Sequence, residues 1–255
     1  MQHSLPQGRE PMHAGLKPVL SWQLRSSVGV FRNHNWHFRS SVHATMSIHD
    51  PAESAAFAII KEEKLYQRYF TLYDRRIRFP SSKERPAEEH DFDVIGHPQA
   101  SFHFSAVFPF HPATEEAPAE VTILKEFCQG PNQMMYSLPA GSFDAQRHGD
   151  YAGCARAELW EEAQLEGGEW VDLLGLGHPG IAEVKWCANR FTPFLCIAPQ
   201  AAATAGKQDA EEFIEIHRMS IASLREVMRS GNMLLPSVTT AFMAIEELQR
   251  RGFCV

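Results

Sequence analysis

A chain of 255 residues, 44% apolar and 22% charged, is long enough to bury a sizeable core and reads as a soluble globular protein of one domain with extensions, or of two small ones. A formal charge of −7 argues against a binder of nucleic-acid backbone, which needs a basic stripe, and no apolar run approaches the ~18 residues of a membrane span. The five cysteines form no C-x-x-C pair, and the thirteen histidines form neither H-E-x-x-H nor a zinc-spaced cluster, so reduced thiols and ordinary histidines are expected.

Residues 1–44 carry Arg9, Lys17, Arg25, Arg32 and Arg39 against a single acid, Glu10, together with six serines. That is the composition of an organelle transit peptide, without the apolar core of a secretory signal. Val42-His43-Ala44 resembles a plastid processing site, which places the mature protein in the chloroplast. A disordered tail is the alternative reading, with a mitochondrial or cytoplasmic location.

Phe57, Ile60, Lys64, Leu65 and Tyr69 fall near a 3.6-residue period and predict a helix over 51–70, capped by Ser54 or Asp50. Strands are expected over 69–79 and 91–97, joined by a polar hairpin loop. Phe102, Phe104, Ala106, Phe108 and Phe110 alternate strictly, the pattern of a half-buried strand. Further strands are expected over 121–127, 134–138, 171–174 and 190–198, and amphipathic helices over 220–229 and 238–251, with Phe242, Ile245 and Leu248 on the apolar face of the second. Gly175-Leu176-Gly177-His178-Pro179-Gly180 matches G-x-G-x-x-G by letter only, since Pro179 sits inside the turn and no βαβ unit follows. It reads as a loop near the substrate.

The chemistry is concentrated in Ala157-Glu158-Leu159-Trp160-Glu161-Glu162. At about 100° per residue, Glu158, Glu161 and Glu162 share one helical face. Three carboxylates on one turn repel unless a cation sits between them, and Mg²⁺ or Mn²⁺, with their preference for oxygen ligands, are the natural occupants. Acidic turns that are only a solvated face are also common.

The strand ending in Leu138-Pro139-Ala140-Gly141, the polar loop and this acidic helix together resemble the Nudix hydrolase box, and the Leu-Pro-Ala-Gly entry resembles its ADP-sugar diphosphatase branch. Glu158, Leu159, Glu161, Glu162 and Leu165 fall on the family's positions. Ala157 stands where Arg is expected and Gln164 where the closing Gly is expected, for which Gly167-Gly168 offers a later helix stop. The loop is two residues longer than the family's, and counting back from the helix places Gly149 on the loop Glu, with Asp150 the nearest acid.

The resemblance implies an α/β Nudix fold, an α/β/α sandwich with a mixed sheet, over 111–255. An N-terminal helix and strands over 45–110 would precede it. It implies metal-assisted hydrolysis of an ADP-sugar, ADP-glucose or ADP-ribose, to AMP and a sugar phosphate. Glu158 and Glu162 would hold the metal, while Glu161 adds a ligand or orients a water. Glu211 or Glu212 would act as general base, and Gly141, Glu183 and a cation, Lys125 or Arg78, would meet the substrate. A homodimer is implied, in which the N-terminal strands help form the pocket and Phe79 and Phe92 stack on the base. The altered box also admits a weakened domain that binds a nucleotide as a sensor.

Overall fold

The computed structural model describes residues 56–204, 206 and 213–255, all within one compact unit that spans His49–Val255. The transit-peptide expectation and the candidate bases Glu211 and Glu212 lie outside the described residues.

The chain begins with a three-stranded antiparallel sheet, β1 (Ala58–Gln67), β2 (Thr71–Phe79) and β3 (Glu88–Gly96), in that order. The helix expected over 51–70 is therefore a strand from Ala58 to Gln67, and residues 51–55 lie outside the description. Register shifts between Ile59 and Lys61 and between Lys64 and Tyr66 explain the misleading period. Each irregularity breaks the two-residue alternation of the strand, so apolar residues arrive in adjacent pairs at a spacing that imitates a helix. Cross-strand charge pairs support the strand: Arg75 to Glu62 at 2.6 Å and Lys61 to Asp74 at 3.7 Å.

The main sheet begins at β4 (His103–His111), which lies within the stretch 45–110 expected to hold the N-terminal helix and strands. Its other strands are β5 (Glu120–Cys128), β6 (Gln133–Ser137), β7 (Ala140–Ser142), β9 (Glu169–Asp172), β10 (Ile181–Ala182), β11 (Arg190–Ile197) and β13 (Ile214–Ser220). The order along it is β10-β11-β4-β5-β13, with β6 beside β5, β7 beside β4 and β9 beside β11. The β11–β4 pair is parallel and the others antiparallel, so the sheet is mixed. β8 (Leu165–Glu166) and β12 (Gln200–Ala201) form a separate two-stranded pair.

Four α-helices occur among the described residues: α1 (Ala145–His148), α2 (Tyr151–Ala163), α3 (Ile221–Arg229) and α4 (Leu235–Arg250). One core unites Phe108, Phe110, Val121, Ile123, Leu195 and Ile197 of the sheet with Ile221 and Leu224 of α3 and Ala241, Ala244, Ile245 and Leu248 of α4. A second unites Val107, Leu124, Phe194 and Cys196 with Ala155, Leu159 and Ala163 of α2. Successive residues of each central strand serve opposite cores, as pleated geometry requires. β4 is consequently buried on both faces rather than half-buried, because parallel pairing with β11 places it inside the sandwich.

Ser220 caps α3 by accepting from Ser223 N at 3.1 Å, and Pro236 occupies the first turn of α4, where no partner for its missing N–H is needed. Phe242 lies outside the core, 59% exposed, whereas Leu248 is fully buried. Leu248→Ala should therefore lower the unfolding free energy by ~2–5 kcal/mol, and Phe242→Ala by no more than ~0.5 kcal/mol. Urea unfolding of the two variants checks the contrast.

Candidate active site

The three glutamates reach one cleft. Its volume is about 580 Å³, and Glu158, Glu161 and Glu162 line it together with Gly141, Arg147 and Glu183. α2 is set in place at its start. Asp150 caps its start, with Oδ1 accepting from Gly153 N at 2.6 Å, and Ser105 Oγ on β4 donates to the Tyr151 carbonyl at 2.8 Å. Cys154, Ala155, Leu159 and Ala163 pin the inner face to the sheet, which turns the acidic face towards β7.

Each acid meets a different neighbour. Glu162 is buried, 7% exposed, and its Oε2 accepts the Ala140 N–H at 2.8 Å. Glu161 Oε1 accepts from the Arg147 guanidinium at 2.9 Å. Glu158 lies against the Cα of Gly141, where a Cβ would overlap its carboxylate. The donor set of this wall is all oxygen, which fits a hard divalent cation such as Mg²⁺ or Mn²⁺.

The other side groups of the cleft were not legible in the box. Tyr69 and Phe70, in the turn between β1 and β2, join His97 to form an aromatic part of the lining. The Tyr69 and His97 rings stack at 4.3 Å, and Ser142 Oγ lies 3.3 Å from both Tyr69 Oη and His97 Nδ1. Glu183 is held from behind: its Oε2 accepts from Asn189 Nδ2 at 3.1 Å and from Cys187 Sγ at 3.3 Å, while Asn189 Oδ1 accepts the His97 N–H at 2.9 Å. His97 sits below its ordinary titration range because it is buried. His103 is pushed down to about 4, first by burial and then by the Arg190 guanidinium; its ring stacks on Tyr151 at 3.7 Å, and its Nε2 lies 2.9 Å from Thr192 Oγ1.

Two expected substrate cations lie elsewhere. Lys125 faces Glu215 of β13 at 4.0 Å, while its strand neighbour Glu126 lines the cleft. Arg78 pairs with Glu89 across the N-terminal sheet at 2.8 Å. Phe79 and Phe92 stack on each other in that sheet, 6.1 Å apart, and are absent from the cleft lining. The Gly175–Gly180 loop joins β9 to β10 and is likewise absent from the lining, although Glu183 just beyond it is present.

Among the described residues, Arg147 is the guanidinium or ammonium group that lines the cleft. Counting the box forward from Gly141, rather than backward from the helix, places Arg147 on the loop-Glu position. Loop and helix are thus tied by an ion pair, Arg147 on the loop and Glu161 on the helix. The two extra loop residues are absorbed by α1, which Asp144 caps by accepting from Gln146 N at 2.8 Å and which Gly149 ends at φ 72°. Asp150 caps α2 and does not take the loop-Glu place.

Gln164 itself, at φ 57°, forms the left-handed C-cap of α2, so Gly167-Gly168 is not the helix stop. Its side-chain amide offsets the strain by binding outward: Nε2 donates to the Glu161 carbonyl at 2.8 Å and to the Gly206 carbonyl at 3.3 Å, and Oε1 accepts from Gly206 N at 2.8 Å.

The large mixed sheet with its helices fits the α/β Nudix fold expected from the sequence. A solved structure described as an ADP compounds hydrolase is similar to this chain with a TM-score of 0.57 and 14% sequence identity, over 77% of this chain and 96% of that one. At that identity the likeness shows the fold alone. No protein-family model matches the sequence, and no curated protein matches it.

Gly141→Ala should leave the fold intact, since the obstructed group is the end of a side chain, while displacing the Glu158 carboxylate. A Mn²⁺ titration should show affinity lowered by ~10-fold or more, with an unfolding midpoint close to that of the parent. The stacked histidine gives a pH prediction. The unfolded chain takes up a proton at His103 near pH 6.5, whereas the folded chain does so only near 4. Its contribution to stability is therefore complete above about pH 6.5 and is lost as pH falls towards 4. Urea midpoints measured between pH 7.5 and 5 should fall less steeply in His103→Gln than in the parent.

Proposed function

We propose that the cleft hydrolyses a nucleoside diphosphate joined to another moiety, with an ADP-sugar such as ADP-glucose or ADP-ribose as substrate and AMP and a sugar phosphate as products. One observation carries this reading: Glu158, Glu161 and Glu162 converge on a single cleft of a Nudix fold, with Arg147 beside them. In the reaction a water oxygen bonds to one phosphorus as the bond from that phosphorus to the bridging oxygen breaks. The leaving phosphate monoester keeps the bridging oxygen, and the protons of the water pass to a carboxylate base and to solvent.

Glu158 and Glu162 would hold Mg²⁺ or Mn²⁺, with Glu161 as a further ligand or water-orienting group; the bound cation supplies neutralisation of the charge that develops on the diphosphate. Ala140 N–H fixes Glu162, and Arg147 fixes Glu161. Glu211 and Glu212 are the candidate bases from the sequence resemblance. Tyr69, Phe70 and His97 offer flat surfaces to a base or ribose. Glu183, fixed by Asn189, offers an acceptor to a sugar hydroxyl.

We further propose that the working unit is a homodimer joined through the N-terminal sheet. All ten residues of β1 are exposed, Ile59, Ile60, Leu65 and Tyr66 among them, and an edge strand with this much exposed apolar surface calls for a cover.

The test is a panel of nucleoside diphosphate conjugates with product analysis, run on the parent and on Glu162→Gln. The substitution keeps the size of the side chain and an acceptor for Ala140 N–H but removes a negative charge. ADP-sugars should be cleaved in a Mg²⁺-dependent manner, and the variant should lose ~10²-fold or more in kcat with its folding little changed. Nucleotide binding without turnover across the whole panel would instead assign the cleft to a sensor. Unchanged turnover and metal affinity in Glu162→Gln would leave the acidic turn without a role in the chemistry.

A further inference from the structure

The loop before α2 ends in a histidine whose hydrogen bonding is incomplete. His148 Nδ1 accepts the backbone N–H of Asp144 at 3.1 Å, and the His148 N–H donates to the Asp144 carbonyl at 2.9 Å. An imidazole whose Nδ1 lone pair is used in this way carries its proton on Nε2. That Nε2 is buried and has no hydrogen-bond partner, so it is a donor in a place where an unmet donor is costly.

Its surroundings suggest the acceptor. A ring nitrogen of His148, Cys154 Sγ and a carboxylate oxygen of Glu158 lie within 4.8 Å of one another. Cys154 donates its S–H to the Gly141 carbonyl at 3.4 Å, which leaves the Glu158 carboxylate as the strong acceptor of the group. The same three residues have the composition of a soft-metal site, but the Asp144 bond makes Nε2–H a donor and withholds it as a ligand.

We propose that His148 is the positioning residue of Glu158, donating Nε2–H to its carboxylate and holding it against Gly141 on the cleft wall. The inference deepens the diphosphatase reading and rests on it. It also gives α1 a purpose. The loop supplies two consecutive donors, Arg147 to Glu161 and His148 to Glu158, while Ala140 N–H serves Glu162. The three acids would then be met by donors from the loop and the strand entry, none of them from position 157, where the box resemblance expects an arginine.

The experiment compares His148→Leu with His148→Gln in the full chain. Leu keeps the bulk and removes the donor, while Gln keeps an acceptor for Asp144 N–H and a donor for Glu158. In His148→Leu, Mn²⁺ affinity and kcat on an ADP-sugar should fall ~10- to 100-fold with KM little changed, and His148→Gln should recover most of both. Nitrogen NMR of the parent should show the neutral Nε2–H tautomer of His148. The tautomer and the Mn²⁺ affinity are read without turnover, so a parent that cleaves nothing would sink the diphosphatase reading while leaving this pairing measurable. Parent-like Mn²⁺ affinity in His148→Leu, or an Nδ1–H tautomer, would overturn the proposal. So would a Co²⁺ complex with a thiolate charge-transfer band that disappears in Cys154→Ala, which would make the cluster a metal site.

Discussion

Three carboxylates on one helical turn are the constraint around which this structure is built. Side chains three and four residues apart on a helix have Cβ atoms roughly 5–6 Å apart, and two unit charges at that distance repel by about 3 kcal/mol at an effective dielectric of ~20. Glu158–Glu161 and Glu158–Glu162 are two such pairs, and Glu162 is buried. The neighbourhood answers with donors. Ala140 N–H comes from the strand entry, Arg147 from the short helix of the loop, and the missing Cβ of Gly141 lets a carboxylate lie on the backbone. β7, α1 and the start of α2 are placed by what these acids require.

The same turn sets the far side of α2. A non-glycine residue in the left-handed region costs roughly 1–3 kcal/mol and persists only where its surroundings hold it. Gln164 is held by the amide bonds it makes to Glu161 and Gly206. The segment it binds is anchored further by Trp160 Nε1 donating to the Thr204 carbonyl at 3.0 Å and by Ala203 N donating to Glu166 at 3.1 Å. Gly206 is pressed so closely on the Trp160 and Glu161 backbone that a Cβ would overlap it. A closing glycine would give a less strained cap but no tether, so the substitution exchanges local ease for a connection between the acidic turn and the chain beyond β12.

Legibility followed burial. The strands of the main sheet and the final helices could be read because their side chains face a core, and the period of burial is the period of the element. β1 could not. None of its ten residues is buried, two irregularities interrupt its alternation, and the spacing of Phe57, Ile60 and Leu65 then fits a helix as well as a strand. β4 showed its alternation plainly, yet alternation does not say whether the second face is covered. Ser105 and Val107 turned out to face α2 and its core rather than water. In the same way, Phe242 kept helical spacing on α4 and still points away from the sheet.

The site divides along a related line. Glu158, Glu161 and Glu162 were legible because their relation is local, fixed by one helix turn. Lys125 and Arg78 were chosen for charge alone, and each is turned towards a cross-strand acid that only the sheet register reveals, Glu215 and Glu89. Arg147 was hidden by the direction of counting through a loop of altered length. Tyr69, His97 and Asn189 were hidden for a deeper reason, since β1–β2, the turn after β3 and the loop before β11 meet only in the folded chain. Asn189 links two of these pieces through the His97 N–H and Glu183, so the aromatic and acidic parts of the cleft are held by one buried amide. A pattern of spacings records the acids that share one helix turn; the other groups of the cleft are set by long-range contacts, which leave no period in the sequence.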